Sequence, residues 1–219
     1  MYNETMNSVN DHSLDSYVSF RSRPLPDLRP FFCYRVPDAL PESVRSRLIH
    51  SLSRWHFEPH VLPDEEVLAC TIILFESLFR IQGMSEVIPV DMSELPNLSC
   101  LCVFSHKAHN ASLFRGQIIA FLHHLRRIYR YENRYHNFEH ALDVLQATHC
   151  YLKSAGMVPP PTILFVPNQL WKPQKEFNSG SLVSSLGLRE LFVLYIAAIG
   201  HDVGHPGLTN MFMVRVFLL

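Results

Sequence analysis

The sequence predicts an all-α protein, and three observations carry that prediction. Apolar residues recur at helical spacing in successive segments, most of those segments open on residues that start helices, and nowhere do short alternating strands flank hairpin turns. Pro41-Glu42 opens the first helix, which runs to Trp55 with Val44, Leu48, Leu52 and Trp55 on one face and proline in its first turn. Pro63-Asp64-Glu65-Glu66 opens the second, with acids where the helix dipole favours them and Leu68, Ile72, Phe75, Leu78 and Phe79 behind; Gly83 is its expected end. A brief helix is expected around Leu95 to Phe104. Ser112 then caps a run through Phe114, Ile118, Ile119, Leu122, Leu125 and Ile128, closing near Tyr131 with Arg126, Arg127 and Arg130 in its last turns. Asn137 to Leu152 is a further helix. Leu188 to Ile199 is another, so uniformly apolar that it is expected at the centre of the core.

The remaining segments set the organisation. Residues 1–38 hold Asn, Asp, Ser, Arg and repeated prolines and form a flexible leader, ahead of a single partial domain over 39–219. Residues 156–187, with a triple proline and many polar residues, are expected to form a surface loop insertion, although Thr162 to Val166 is ambiguous by periodicity alone. No internal repeat is present.

With 47% apolar residues in 219, one core is the expectation. Lys and Arg total 19 against 20 Asp and Glu, so no global field points to nucleic acid or to an anionic membrane surface. No apolar run reaches the roughly 18 residues that would span a bilayer, and the polar N-terminus does not resemble a signal peptide, so the expected location is the cytoplasm. The 5 cysteines, odd in number and scattered among apolar neighbours, suit reduced core thiols; Cys100-x-Cys102 is spaced too tightly for a zinc knuckle. The 13 histidines matter more, because histidine is both the commonest metal ligand and a general acid near neutral pH.

Two clusters concentrate that chemistry: Tyr135-His136-Asn137-Phe138-Glu139-His140-Ala141-Leu142-Asp143-Val144, and His201-Asp202-Val203-Gly204-His205-Pro206-Gly207. His136 and His140 are four apart, as a pair projecting from one helical face would be. His201 and Asp202 offer a nitrogen and an oxygen at the end of an apolar helix, where unpaired polar groups would cost several kcal/mol and a metal ion is one way to satisfy them. Either pair alone more often marks hydrogen-bonded or exposed side chains. Together, nitrogen ligands and a carboxylate able to bridge suit zinc at one site, and an oxygen-rich second site suits magnesium or manganese. His123-His124, His50, His56, His60, His106 and His109 have no partner motif. His149 is intermediate, within the matching helix but thirteen residues past His136. Helix-end charge compensation accounts for the arginines at 126, 127 and 130.

At these residues the chain resembles the class I 3′,5′-cyclic-nucleotide phosphodiesterases, HD-type metal phosphohydrolases whose pattern is His-Asn-x-x-His-Ala followed by His-Asp-x-x-His-Pro-Gly. Gln146, Thr148-His149, Asn210 and Phe212 extend the match, which is firm at 129–152 and 189–213. The resemblance implies hydrolysis of cyclic AMP or cyclic GMP to the 5′-monophosphate in second-messenger signalling, with two divalent ions, Zn2+ and Mg2+ or Mn2+. It implies His136 as the general acid, and His140, His201 and Asp202 as metal ligands, with Asp202 bridging to the second ion. His205 would reach water at that second ion, Asn137 and Asp143 would orient ligands or simply brace helices, and Tyr135 would line the substrate pocket.

The tail Val214-Arg215-Val216-Phe217-Leu218-Leu219 does not resemble the polar continuation of the family. The further acidic ligand and the glutamine and phenylalanine that hold the purine are not identifiable. The expectation is therefore a domain truncated after its second motif, with little activity alone and with association through exposed apolar surface. Two alternatives stand beside the enzyme: an inactive fragment serving as a metal- or protein-binding module, and an HD-type phosphohydrolase of another nucleotide, against which His136-Asn137-x-x-His140 argues.

Overall fold

The structure is a computed structural model that describes residues 40–87, 110–173 and 185–207, with the side chains of 110–115 excepted. The leader, the helix expected at 95–104, Cys33, Cys100, Cys102, His106, His109, Asn210, Phe212 and the tail lie outside the described residues. Within them the elements are α1 (Glu42–Leu52), a 3₁₀ turn (Pro59–Val61), α2 (Asp64–Leu78), α3 (Met84–Val87), α4 (Asn110–Ile128), α5 (Phe138–Ser154), a 3₁₀ turn (Pro161–Phe165) and α6 (Leu188–Gly200). The all-α expectation holds: among the described residues the β pairing is one isolated bridge between Ile81 and Trp171.

Proline precedes both α1 and α2, and the first turn of α2 gathers Asp64, Glu65 and Glu66 against its dipole. α2 is the helix buried almost all round, through Val67, Leu68, Cys70, Ile73, Leu74, Phe75 and Leu78. Its two buried hydroxyls turn back onto its own carbonyls, Thr71 to Val67 and Ser77 to Leu74, so neither is left unsatisfied. Around it pack α1, α4 and α5, and α5 in turn packs against α6. Phe75 meets the ring of Tyr195 edge-on at 5.6 Å, which joins α2 to α6 at the middle of the core. Burying side chains of this size is worth about 1.5–3 kcal/mol each.

Two expectations change. α6 is not wholly enclosed: Leu191, Tyr195, Ala198 and Ile199 are buried, but Arg189, Val193 and Ala197 are exposed at a four-residue interval and form a stripe facing outward. Uniform apolarity marks a helix for burial without saying what covers each face. The segment expected as a surface insertion also divides. Met157, Val158, Pro161 and Ile163 are buried, and the 3₁₀ turn packs on α1 and α2; only the stretch from Phe165 to Leu170 is exposed throughout. The prolines serve a packed turn there, since Pro161 occupies its first position. α2 ends at Leu78, earlier than Gly83, whose φ of +84° falls in the turn before α3. No helix among the described residues is long and apolar enough to cross a membrane.

Candidate active site

The site forms where the start of α5 meets the end of α6. Asn137 is the N-cap of α5: its Oδ1 accepts the His140 N–H at 2.9 Å, and its Nδ2 donates to the Asn133 carbonyl at 3.1 Å. Both polar ends of Asn137 are thus committed to backbone, and the cap turn sets His136 just outside the helix and His140 in its first turn. The two rings come together, centroids 6.1 Å apart and perpendicular, through the cap and not through a shared helical face. That corrects the four-residue periodicity argument while keeping the pair.

At the end of α6 the last carbonyls need partners, since the helix no longer supplies them. The Gly200 carbonyl accepts from the Val203 N–H at 3.1 Å, and the Asp202 carbonyl from the His205 N–H at 3.0 Å. The Ile199 carbonyl accepts from the Tyr129 hydroxyl at 2.9 Å, and the Ala198 carbonyl lies 2.9 Å from His201 Nδ1. Since a carbonyl only accepts, His201 Nδ1 carries a proton. Gly204 and Gly207 turn the chain with φ of +74° and +78°, a region that side chains strain.

These two ends converge on a single oxygen. Asp202 Oδ2 lies 2.8 Å from His136 Nδ1, 3.1 Å from His201 Nε2 and 3.6 Å from His140 Nε2. Burial alone would raise the Asp202 carboxyl, but the hydrogen bond from His136 and the fields of His201, His136 and His140 outweigh it and hold the group below its usual value. His140 is pushed the other way: burial lowers its pKa, with His201 and His136 adding to the effect and Asp202 and Asp143 opposing it. His140 is therefore held as the neutral imidazole that a metal requires. Ligand atoms of His136, His140 and Asp202 lie within 4.8 Å of one another, close enough to share one ion. His201 falls outside that group, yet with Nδ1 protonated its Nε2 presents a lone pair to a carboxylate oxygen unless the ring is charged. Two lone pairs facing each other suit a shared cation, so the nitrogen and oxygen donors here fit a divalent ion such as zinc.

The other expected residues are placed as follows. His205 stacks on His136, ring centroids 3.7 Å apart, and its Nδ1 accepts the Gly207 N–H at 3.0 Å. Tyr135 is 63% exposed with its ring 4.2 Å from that of His140, a position open to solvent beside the imidazoles. Asp143 is exposed on α5 and reaches His140 through its charge. His149 lies in the core, away from this cluster, with Nδ1 2.6 Å from the Tyr195 hydroxyl.

Three residues that the sequence argument passed over organise the site. Asn133 Nδ2 donates to the carbonyls of both His136, at 3.1 Å, and His205, at 2.9 Å, tying the two motif loops together. Tyr129 also accepts the Asp202 N–H at 3.2 Å. Arg126 pairs with Asp64 at 2.5 Å, anchoring the end of α4 to the start of α2, a specific bond where general dipole compensation was expected. A cavity of about 110 Å3 lies behind them, lined by Asp64, Val67, Arg126, Tyr129 and Phe138 among others. It shares no residue with the imidazole cluster, so the chemistry belongs to the more open face beside Asp202.

A helical scaffold that brings a capped His-x-x-x-His start and a His-Asp helix end onto one carboxylate defines the class of HD-type phosphohydrolases. Residues 135–216 match the family model described as 3′5′-cyclic nucleotide phosphodiesterase. A probable 3′,5′-cyclic phosphodiesterase, pde-3 of Caenorhabditis elegans, is 39% identical over 100 residues, covering 44% of this chain and 14% of that protein. The 3′,5′-cyclic-nucleotide phosphodiesterase regA of Dictyostelium discoideum is 33% identical over 88 residues, 40% of this chain and 8% of that one. The crystal structure of yeast caPDE2 in complex with IBMX superposes with a TM-score of 0.51 at 26% identity, over 81% of this chain and 30% of that one. The chain thus spans a small fraction of the relatives it matches, and the segment that carries both motifs belongs to the class I 3′,5′-cyclic-nucleotide phosphodiesterase family.

Proposed function

We propose that this chain carries the metal-binding half of a 3′,5′-cyclic-nucleotide phosphodiesterase site, hydrolysing cyclic AMP or cyclic GMP to the 5′-monophosphate and so lowering second-messenger levels in the cytoplasm. The observation that carries the reading is the convergence of His136, His140 and His201 on Asp202 Oδ2. In this reading His140, His201 and Asp202 hold the first ion, zinc, and Asp202 extends to a second, magnesium or manganese. The ions would supply Lewis acidity toward the phosphate and acidify water beside it. His136 donates from Nδ1 to Asp202, which leaves Nε2 directed outward to deliver a proton to the departing 3′ oxygen. His205, stacked on His136, fixes that ring's plane and faces the second ion. Asn137 orients His140 through the cap, Asp143 favours the cluster's positive charge, and Tyr135 lines the substrate side.

The test is cyclic AMP and cyclic GMP hydrolysis by a protein spanning the whole catalytic domain, with zinc and magnesium supplied. His136→Ala is expected to lower turnover by roughly a hundredfold to ten-thousandfold with metal content nearly unchanged. Asp202→Ala is expected to lose both. Equal metal loss in the two variants, by elemental analysis, would show that acid and ligand are wrongly divided. An intact, metal-loaded protein that hydrolyses neither nucleotide would end the reading.

A further inference from the structure

We propose that Tyr129 is a positioning residue for Asp202, fixing the carboxylate on which the imidazoles converge and thereby setting the affinity of the site for a divalent ion; this rests on the metal reading above. Tyr129 follows directly on α4 and is only 6% exposed. Its hydroxyl uses its one proton on the Ile199 carbonyl at 2.9 Å and one lone pair on the Asp202 N–H at 3.2 Å. A single oxygen therefore spans the backbone across the end of α6, holding Asp202 from outside the helix, where the chain would otherwise be free to unwind. The ring is held in turn. It meets Phe138, the first residue of α5, edge-on with centroids 5.7 Å apart. Phe138 adjoins the Asn137 cap that places His140, so one side chain touches the end of α4, the start of α5 and the end of α6.

The chemistry of the group fits this task. Burial pushes the phenol up to about 12, against a smaller opposing contribution from the Asp202 N–H. The hydroxyl therefore keeps the proton that it donates throughout the range in which proteins work. Partners behind a metal's ligands typically change affinity by about 10–100-fold when removed, because they decide how well the ligand is aimed before the ion arrives. Tyr129 acts on the main chain of a ligand and not on its side chain, so its removal should leave the donor set complete and loosen its geometry.

The experiment measures zinc affinity of the full chain by competition with a chromophoric chelator, for the unmodified protein and for Tyr129→Phe, Tyr195→Phe and Asp202→Ala. Tyr195 is the control for stability, since its hydroxyl is equally buried and bonds His149 in the core, away from the cluster. Tyr129→Phe is expected to weaken zinc binding by about 10–100-fold with helicity retained, while Tyr195→Phe lowers stability and leaves zinc affinity unchanged. Unchanged affinity in Tyr129→Phe, or the same weakening in Tyr195→Phe, would overturn the proposal. Should Tyr129→Phe fail to fold, hydrogen exchange of the unmodified chain decides: binding and the hydroxyl contact are linked, so zinc should slow exchange of the Asp202 amide. Exchange unaltered by zinc refutes the link. If Asp202→Ala binds zinc as the unmodified chain does, the metal reading itself has failed and this proposal falls with it.

Discussion

Acidification below neutral pH should destabilise this fold through His149, whose side chain is fully buried between α5 and α6 with Nδ1 against the Tyr195 hydroxyl. Burial lowers its pKa from 6.5 to about 3, and the charge of Lys153 acts in the same direction. The unfolded chain therefore takes up a proton near pH 6.5 that the folded protein refuses until about pH 3. Stability from this group is complete above the unfolded value and is lost as pH falls through the interval, at about 1.4 kcal/mol per pH unit. Between pH 7 and pH 5 the loss comes to about 2 kcal/mol, a sizeable part of the 5–15 kcal/mol of a typical domain. Urea unfolding followed by circular dichroism at both pH values, in zinc-free buffer, measures it. His149→Gln removes the titrating group and keeps an acceptor for Tyr195; other histidines titrate alike in both proteins and cancel. The unmodified chain should lose about 2 kcal/mol more than His149→Gln on going from pH 7 to pH 5. An equal loss in the two would refute the argument that His149 is buried as the neutral ring.

Two further outcomes follow from the loops. Gly204 and Gly207 both have positive φ, but a Cβ at Gly204 meets nothing within 4 Å, whereas one at Gly207 would run into Asn133 Oδ1. Gly204→Ala should therefore cost about 1 kcal/mol from the backbone alone, and Gly207→Ala more, about 2–3 kcal/mol in urea titrations. Equal costs would mean that Asn133 does not hold the second loop. Asn137→Ala should cost about 1 kcal/mol by loss of the N-cap and weaken zinc binding through His140, and Asn137→Ser should restore most of the stability; a Ser variant no better than Ala would remove the cap from the explanation.

Much of this architecture is legible from local pattern, and the failures share one cause. Helix positions follow from apolar spacing and start residues because both act within a few residues of sequence: Pro63 with its three acids, and Asn137 ahead of Phe138, stand where the helices begin. The motif residues His136, His140, His201 and Asp202 stand out because their types are costly to bury unpaired. What the pattern could not show depends on the neighbouring element. The outward stripe of α6, Arg189, Val193 and Ala197, is indistinguishable in composition from its buried face. Met157 and Ile163 sit among prolines that resemble loop, and only their packing on α1 and α2 draws them into the core. Tyr129 and Asn133 lie between an arginine cluster and a histidine motif that both attract more notice. Their spacing ahead of His136 was the available clue, since a short polar connection entering a capped helix must place its own donors somewhere.

That need also explains why the site is built at helix ends. Both ends arrive with main-chain groups lacking helical partners, and the residues meeting them hold the imidazoles in place. His201 satisfies the Ala198 carbonyl with one ring nitrogen and faces Asp202 with the other, so it is at once part of the helix end and part of the cluster. His140 has no such bond from its ring, while its main-chain N–H is held by Asn137. The two histidines are therefore unequal as probes. Replacing His201 disturbs the end of α6 together with the donor set, and its effect on metal binding mixes the two. Replacing His140 removes a nitrogen and leaves both helix ends capped, so its loss reports on the ligand alone.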